Sequence, residues 1–244
     1  MGRTAAVLTV SRGRRLWGRV AQPPATTAPA GPCHTLGAVV EKSLWTQKVE
    51  QNPQHSHWYV QRFRTMAAAG DDLHGEARFV DAMAPRAATI LDAGCGPGRV
   101  GAELAARGHH VVGVDVDPVL IDAAQADHPG PTWLVQDLAE LDLHDVSPPF
   151  DVIVAAGNVM TFLAPSTRRT VLERIGDHLA AEGRFVTGFG AGRGYSFDEF
   201  AGDAQAAGLT VDVALASWDL RPFTPESSFL VAVLGRSTTT TPGR

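Results

Sequence analysis

Short apolar runs alternate with amphipathic stretches from residue 88 to residue 189, and this alternation narrows the fold more than any other feature of the sequence. The runs cover residues 88–91, 111–114, 133–135, 152–155 and 185–189. Helical periodicity fills the gaps at 100–107, 119–127 and 166–181, the last with Val171, Leu172, Ile175 and Leu179 on one side. A strand, a crossover helix and a second parallel strand close with one hand, so the pattern predicts an α/β, doubly wound sheet with helices on both faces. One more helix is expected at 196–207. Two β-rich runs, 209–216 and 228–234, are close enough to pair as a C-terminal antiparallel hairpin.

The ends read differently. Residues 1–40 hold five arginines, no lysine and no acid, and Pro23, Pro24, Pro29 and Pro32 break any periodicity. That is the composition of an organelle transit peptide, of an inert tail, or of a translation start placed too far upstream. Such a segment cannot bury enough apolar surface to offset chain entropy, so it is expected to be disordered and dispensable. Residues 41–85 are expected to form helices that cap the site. Order should begin near Asn52-Pro53, a capping side chain followed by Pro at a first helical position. A second helix is expected at 72–84. Residues 86–235 form the expected core and 236–244 a disordered tail.

The formal charge of −5 conceals an asymmetry: beyond residue 40 the sequence carries −10, from 16 basic and 26 acidic residues. Binding to nucleic acid relies on Lys and Arg at phosphates, so an acidic body argues against a DNA or RNA partner. No apolar run reaches the roughly 18 residues that a membrane helix needs. The two cysteines, Cys33 and Cys95, make neither a disulfide framework nor a zinc site, and a cytoplasmic location is the default.

The chemistry concentrates at one turn. The run 89–91 leads into Asp92-Ala93-Gly94-Cys95-Gly96-Pro97-Gly98, and a helix follows. Alternating glycines at a strand-to-helix turn let the backbone bend sharply and let a ligand lie directly on it. The helix start behind them is expected to offer unpaired N–H groups to an anionic group. About 20 residues on, the next strand ends in Asp115, placed to accept hydrogen bonds from both hydroxyls of a ribose. A nucleoside-containing cofactor follows. Gly96-Pro97-Gly98-Arg99-Val100-Gly101 also matches the dinucleotide pattern G-x-G-x-x-G, which keeps a nicotinamide-dependent oxidoreductase open. Against it, Asp92 would repel a pyrophosphate and attract the cationic methionyl part of S-adenosylmethionine (SAM). A third acidic edge, Gln136-Asp137, could accept from an adenine amine.

At these residues the sequence resembles the class I SAM-dependent methyltransferases, in their small single-domain form acting on small molecules. The resemblance covers roughly residues 52–235 and implies a Rossmann-like fold with SAM as cofactor. It implies that Asp92, Ala93, Gly94, Gly96, Gly98 and the backbone around Cys95 hold the methionine portion. It further implies that Asp115 binds the ribose, that Val116 packs on the adenine, and that Gln136, Asp137 and Leu138 read the adenine edge. Ala156 and Gly157, after the fourth strand, would lie beside the methyl group. That strand lacks the (Asp/Asn)-Pro-Pro-(Tyr/Phe) of relatives that methylate amide or nucleobase amines. A small-molecule acceptor is therefore expected, and a SAM-binding protein without catalysis is the alternative from another class. His57, Tyr59, Asn158, Tyr195 and Trp218 are candidate substrate contacts. Cys95 reads as a small residue filling a tight loop. The histidines lack partners at ligand spacing, so no metal is expected.

Overall fold

The computed structural model describes residues 40–237, so the expectations for residues 1–39 and 238–244 lie outside it. Seven strands form one sheet in the order β3-β2-β1-β4-β5-β7-β6. They are β1 (Thr89–Ala93), β2 (His110–Asp115), β3 (Thr132–Val135), β4 (Phe150–Ala155), β5 (Leu179–Gly190), β6 (Leu209–Leu215) and β7 (Phe229–Arg236). The first five run parallel. β7 enters between β5 and β6 and is antiparallel to both. The helices are α1 (Leu44–Gln51), α2 (His55–Ala68), α3 (Gly75–Met83), α4 (Arg99–Ala106), α5 (Pro118–Asp127), α6 (Val159–Phe162), α7 (Arg168–His178) and α8 (Phe197–Ala206). Strand order reverses between β1 and β4, and a ligand crevice in an open α/β sheet falls at that point.

The sheet separates two apolar layers. Leu91, Ile153, Phe185 and Phe189 face Val171, Ile175 and Phe200 of α7 and α8. Ile90, Val152 and Val186 face Val80 of α3 and Leu104 of α4. Local signals explain several ends. Ser196 and Glu199 form a reciprocal capping box at α8. Asp117 caps α5 by accepting from Val119 N–H, with Pro118 at the first helical position.

Four expectations need correction. Order begins before Asn52, because α1 precedes it, capped by Ser43 on Thr46 N–H. Asn52 closes α1 instead of opening a helix, and its Oδ1 accepts from Gln54 N–H in the turn to α2. The helix expected to 181 stops at His178, because Leu179 pairs with Phe150 and draws the chain into β5. Arg236, expected in the tail, instead ends β7 and donates to the Leu179 carbonyl at 2.7 Å.

Asp92 sits at the end of β1, only 1% exposed, where its Oδ2 accepts from Gly101 N–H at 2.8 Å. It therefore anchors the first turn of α4 to the sheet. Burial is the main cause that pushes its carboxyl up to about 7. A carboxyl raised above its unfolded value of about 3.9 binds its proton better in the folded state, so its contribution to stability is present at low pH and is lost as pH rises through about 7. Asp92→Asn keeps an acceptor for Gly101 and removes the buried charge. The melting temperature of the variant should gain on the wild type as pH rises from 5 to 8. A gap that stays constant in thermal denaturation across that range would show that Asp92 does not titrate there.

Candidate cofactor site

A cleft opens at the carboxyl ends of the strands. Each of the first four strands contributes one part of the wall. Gly94 and Gly96 follow β1, Asp115 and Val116 end β2, Gln136, Asp137 and Leu138 follow β3, and Ala156 and Gly157 follow β4. Leu120, Val159, Phe162 and Leu163 add apolar surface, and Ser43, Trp45 and Tyr59 close the cleft from the N-terminal helices.

The glycine loop is held tightly from behind. Gly94 N–H and Cys95 N–H both donate to the Val114 carbonyl, at 2.8 and 2.9 Å. Gly96 N–H donates to Asp115 Oδ2 at 2.9 Å, and Gly98 N–H to the Cys95 carbonyl at 3.1 Å. The N–H groups of the loop itself are thus spent within the fold, whereas at the helix start behind it Gly101 N–H goes to Asp92 and those of Arg99 and Val100 have no partner among the described residues. Gly94 has φ +77°, and a Cβ there would stand 2.6 Å from Val159, so glycine is required on both counts. Asp115 is buried. Its Oδ1 accepts from Asp117 N–H, burial pushes its carboxyl up to about 6, and a carboxylate oxygen that accepts one bond can accept a second.

The adenine end can be judged from its polar atoms. Gln136 Nε2 donates to the Asp142 carbonyl at 3.3 Å, and its buried Oε1 has no partner among the described residues. Asp137 accepts from Ala139 N–H through Oδ1, leaving Oδ2. The remaining Asp137 oxygen beside the apolar Val116, Leu120 and Leu138 suits an aromatic base carrying an amine, so the residues present fit SAM.

The remaining expected contacts stand elsewhere. Asp92 and Ala93 lie beneath the loop, with Asp92 turned to α4, so its attraction for a methionyl cation is not exerted from the cleft wall. Cys95 packs on Ile121, Ala124 and Trp133, and burial raises its thiol pKa well above the usual value, which leaves it unreactive. Gly98 begins α4 against Ala124 and Trp133. His57 is exposed on α2. Asn158, at φ +69°, accepts from Gly190 N–H and holds β4 to β5. Tyr195 is 1% exposed and donates to Asp203 at 2.6 Å within the core. Trp218 lies against Gly188 and Phe79 on the other layer. Of the proposed substrate contacts only Tyr59 lines the cleft. Val159 belongs to the segment 156–159 that the resemblance places beside the methyl group. Sequence reasoning missed Ser43, Trp45, Leu120, Phe162 and Leu163. The Ser-x-x-Thr start of α1, Ser43-Leu44-Trp45-Thr46, with a tryptophan inside it, was the available signal for the first two.

Asp142, His144 and His178 bring ligand-type atoms within 4.8 Å of one another. Both ring nitrogens of His178 are already engaged, by Leu143 N–H and the Arg174 carbonyl, so it has no lone pair to give.

A family profile described as a methyltransferase domain matches residues 90–183. A solved TehB-like SAM-dependent methyltransferase from Corynebacterium glutamicum is 52% identical, with a TM-score of 0.73, over 76% of this chain and 100% of the other. The chain belongs to the class I SAM-dependent methyltransferases. A curated magnesium-protoporphyrin O-methyltransferase from Rhodobacter capsulatus is 37% identical over 89 residues, which is 34% of this methyltransferase and 38% of that protein. The CcbJ methyltransferase of Streptomyces caelestis shares the fold at 21% identity, with a TM-score of 0.61, over 67% of this chain and 89% of its own.

Replacing Asp115 by Ala should have two effects. Loss of two acceptors for ribose hydroxyls, roughly 2–3 kcal/mol together, weakens SAM binding by about 30- to 150-fold. Loss of the acceptors for Gly96 and Asp117 N–H also lowers the melting temperature, by about 5 °C or more. Calorimetric titration with SAM and a thermal melt test the two separately, and an unchanged affinity would move the ribose elsewhere.

Proposed function

We propose that this chain transfers a methyl group from SAM to a small-molecule acceptor, as a cytoplasmic enzyme that does not act on nucleic acid. The observation that carries this reading is the cleft itself, with an acceptor for an adenine amine after β3, a buried carboxylate for a ribose at the end of β2, and a glycine turn after β1. Bound SAM supplies an electrophilic methyl group on its sulfonium. The protein's part is to position and to dry the site. Ala156, Gly157, Val159 and Tyr59 enclose the end of the cleft next to β4, where an acceptor would enter, with largely apolar surface. The titratable side chains on the wall are Tyr59, Asp115 and Asp137, and burial raises the Tyr59 phenol further from its usual value. No histidine, lysine or glutamate lines the cleft among the described residues. An acceptor that arrives with a free lone pair suits such a site, since it asks for orientation and desolvation and not for a strong base.

The acidic body supports a partner other than nucleic acid. No described helix is long and apolar enough to cross a membrane. The nicotinamide alternative loses support at the glycine loop. With the N–H groups of Gly94, Cys95, Gly96 and Gly98 bonded internally, the turn leaves a pyrophosphate only the donors at the start of α4, above the buried carboxyls of Asp92 and Asp115.

Equilibrium binding should show micromolar affinity for SAM and S-adenosylhomocysteine and none for NAD. The reverse preference would overturn the cofactor. Turnover of radiolabelled SAM against a panel of amine, hydroxyl and thiol acceptors separates an enzyme from a SAM-binding sensor, and methylation of at least one small acceptor is expected.

A further inference from the structure

The sheet continues past the cleft wall, from β4 to β5. On the reading above an acceptor enters at this side, away from the adenine. β5 closes with Gly188-Phe189-Gly190, whose two glycines open to one face of the sheet. Trp218 fills the space over Gly188 and Arg193 the space over Gly190. A Cβ on Gly190 would stand 3.2 Å from Arg193 Nε and 3.7 Å from Asn158 Oδ1. Asn158 is the residue after Gly157 of the cleft wall, so Arg193 stands about one strand spacing, ~4.8 Å, beyond the cleft.

The loop that carries Arg193 is held at several points. Gly190 N–H donates to Asn158 Oδ1 and Ala191 N–H to the Ser228 carbonyl, both at 2.9 Å. Arg168 Nη2 donates to the Gly194 carbonyl at 2.6 Å, and its guanidinium lies 4.0 Å from the centre of the Tyr195 ring. Gly192 and Gly194, at φ +72° and +82°, turn the chain on either side of Arg193 and return its side chain over Gly190. The guanidinium itself is unengaged. Among the described residues Arg193 is the one arginine with no hydrogen bond, no ion pair and no aromatic ring against it. Two acids of the following helix are turned elsewhere, Glu199 to Ser196 and Asp203 to the Tyr195 hydroxyl. Asn158 adds a second donor. The bond from Gly190 fixes its oxygen, and Nδ2 has no partner among the described residues.

A planar fork of N–H donors with an amide donor beside it matches the two oxygens of a carboxylate. Resting on the methyl-transfer reading above, we infer that Arg193, with Asn158 Nδ2 beside it, binds a carboxylate on the methyl acceptor. The substrate class is small molecules that carry this group one to two strand spacings, about 5–10 Å, from the atom methylated. Arg193 sets specificity, and the cofactor is held without it.

Para-substituted benzoates span that distance. The full chain is assayed with radiolabelled SAM on three matched pairs: 4-aminobenzoate and aniline, 4-hydroxybenzoate and phenol, 4-mercaptobenzoate and thiophenol. In at least one pair the carboxylate member should be methylated with a kcat/KM about 10-fold or more above its neutral partner, the effect of hydrogen bonds between charged groups in a partly open site. Arg193→Gln should remove this preference by raising KM for the carboxylate member about 10-fold. Its KM for the neutral member and its affinity for S-adenosylhomocysteine by calorimetry should match the wild type. Neutral members methylated as well as their carboxylate partners in every pair would overturn the inference. So would a preference that survives R193Q, or a protein that binds S-adenosylhomocysteine and methylates no carboxylate member. A protein that binds neither SAM nor S-adenosylhomocysteine would instead overturn the SAM reading itself.

Discussion

The Val114–Asp115 end of β2 is the point on which the site depends. One carbonyl takes two loop N–H groups, those of Gly94 and Cys95, and the next residue's carboxylate takes a third from Gly96. The loop after β1 is thereby laced to the neighbouring strand along its length. Backbone N–H groups buried without partners cost free energy, so the bend after β1 is stable only while β2 ends where it does. Steric fit reinforces the lacing. Gly113, one residue before Val114, has Trp133 on it so closely that a Cβ would fall 2.3 Å from the indole, and the same ring supports Gly98 and Gly101. Trp133 thus carries the loop and the first turn of α4 on one aromatic plate.

The same turn reaches outward to the cap. Asp117 begins α5, and its Oδ2 accepts from Trp45 Nε1 of α1 and from Ser56 Oγ of α2. Two helices distant in sequence are fixed on one carboxylate two residues from the ribose position. Trp45 then packs on Tyr59 and Phe162, which brings Tyr59 over the glycines. The ordering of the cap and of the loop share a short segment, 114–117, so disturbance at either should be felt at the other.

How much of this was legible in the sequence follows from the range of each interaction. The sheet could be read because strand periodicity, crossover length and glycine turns are local properties, and the strand-end residues Gly94, Asp115 and Asp137 inherit their places from it. Trp45 and α1 could not, because a short polar helix gains its stability from one buried indole and a partner 72 residues away. Tyr195 and Trp218 show a different limit. A position after a strand end says nothing about which way the side chain turns. Tyr195 turns inward because Asp203 offers its hydroxyl a partner, and Trp218 lies flat because Gly188 leaves the room, with an added Cβ falling 2.6 Å from the indole. A glycine inside a strand is itself a sign of close approach, and Gly188 was the clue that went unused. His109 is similar. It leads into β2 as a packing residue and also accepts from Ala88 N–H while facing Asp81 of α3.

The glycine spacing alone does not select a cofactor, since Gly96, Gly98 and Gly101 satisfy a dinucleotide pattern as well. What selects it is the use already made of the loop's donors. A loop with free N–H groups at a helix start is a site for phosphate. Here the N–H groups of Gly94, Cys95, Gly96 and Gly98 are turned to Val114, Asp115 and Cys95, and two buried carboxylates with raised pKa values, Asp92 and Asp115, lie beneath. An anion brought onto the loop would meet negative potential with few donors to offset it. A cation there would favour the ionised form of both carboxylates and so be bound more tightly as they lose their protons. The asymmetry asks for a cofactor that is net cationic where it lies on the loop. The methionyl part of SAM, with a sulfonium and an ammonium against one carboxylate, meets that, and a pyrophosphate does not.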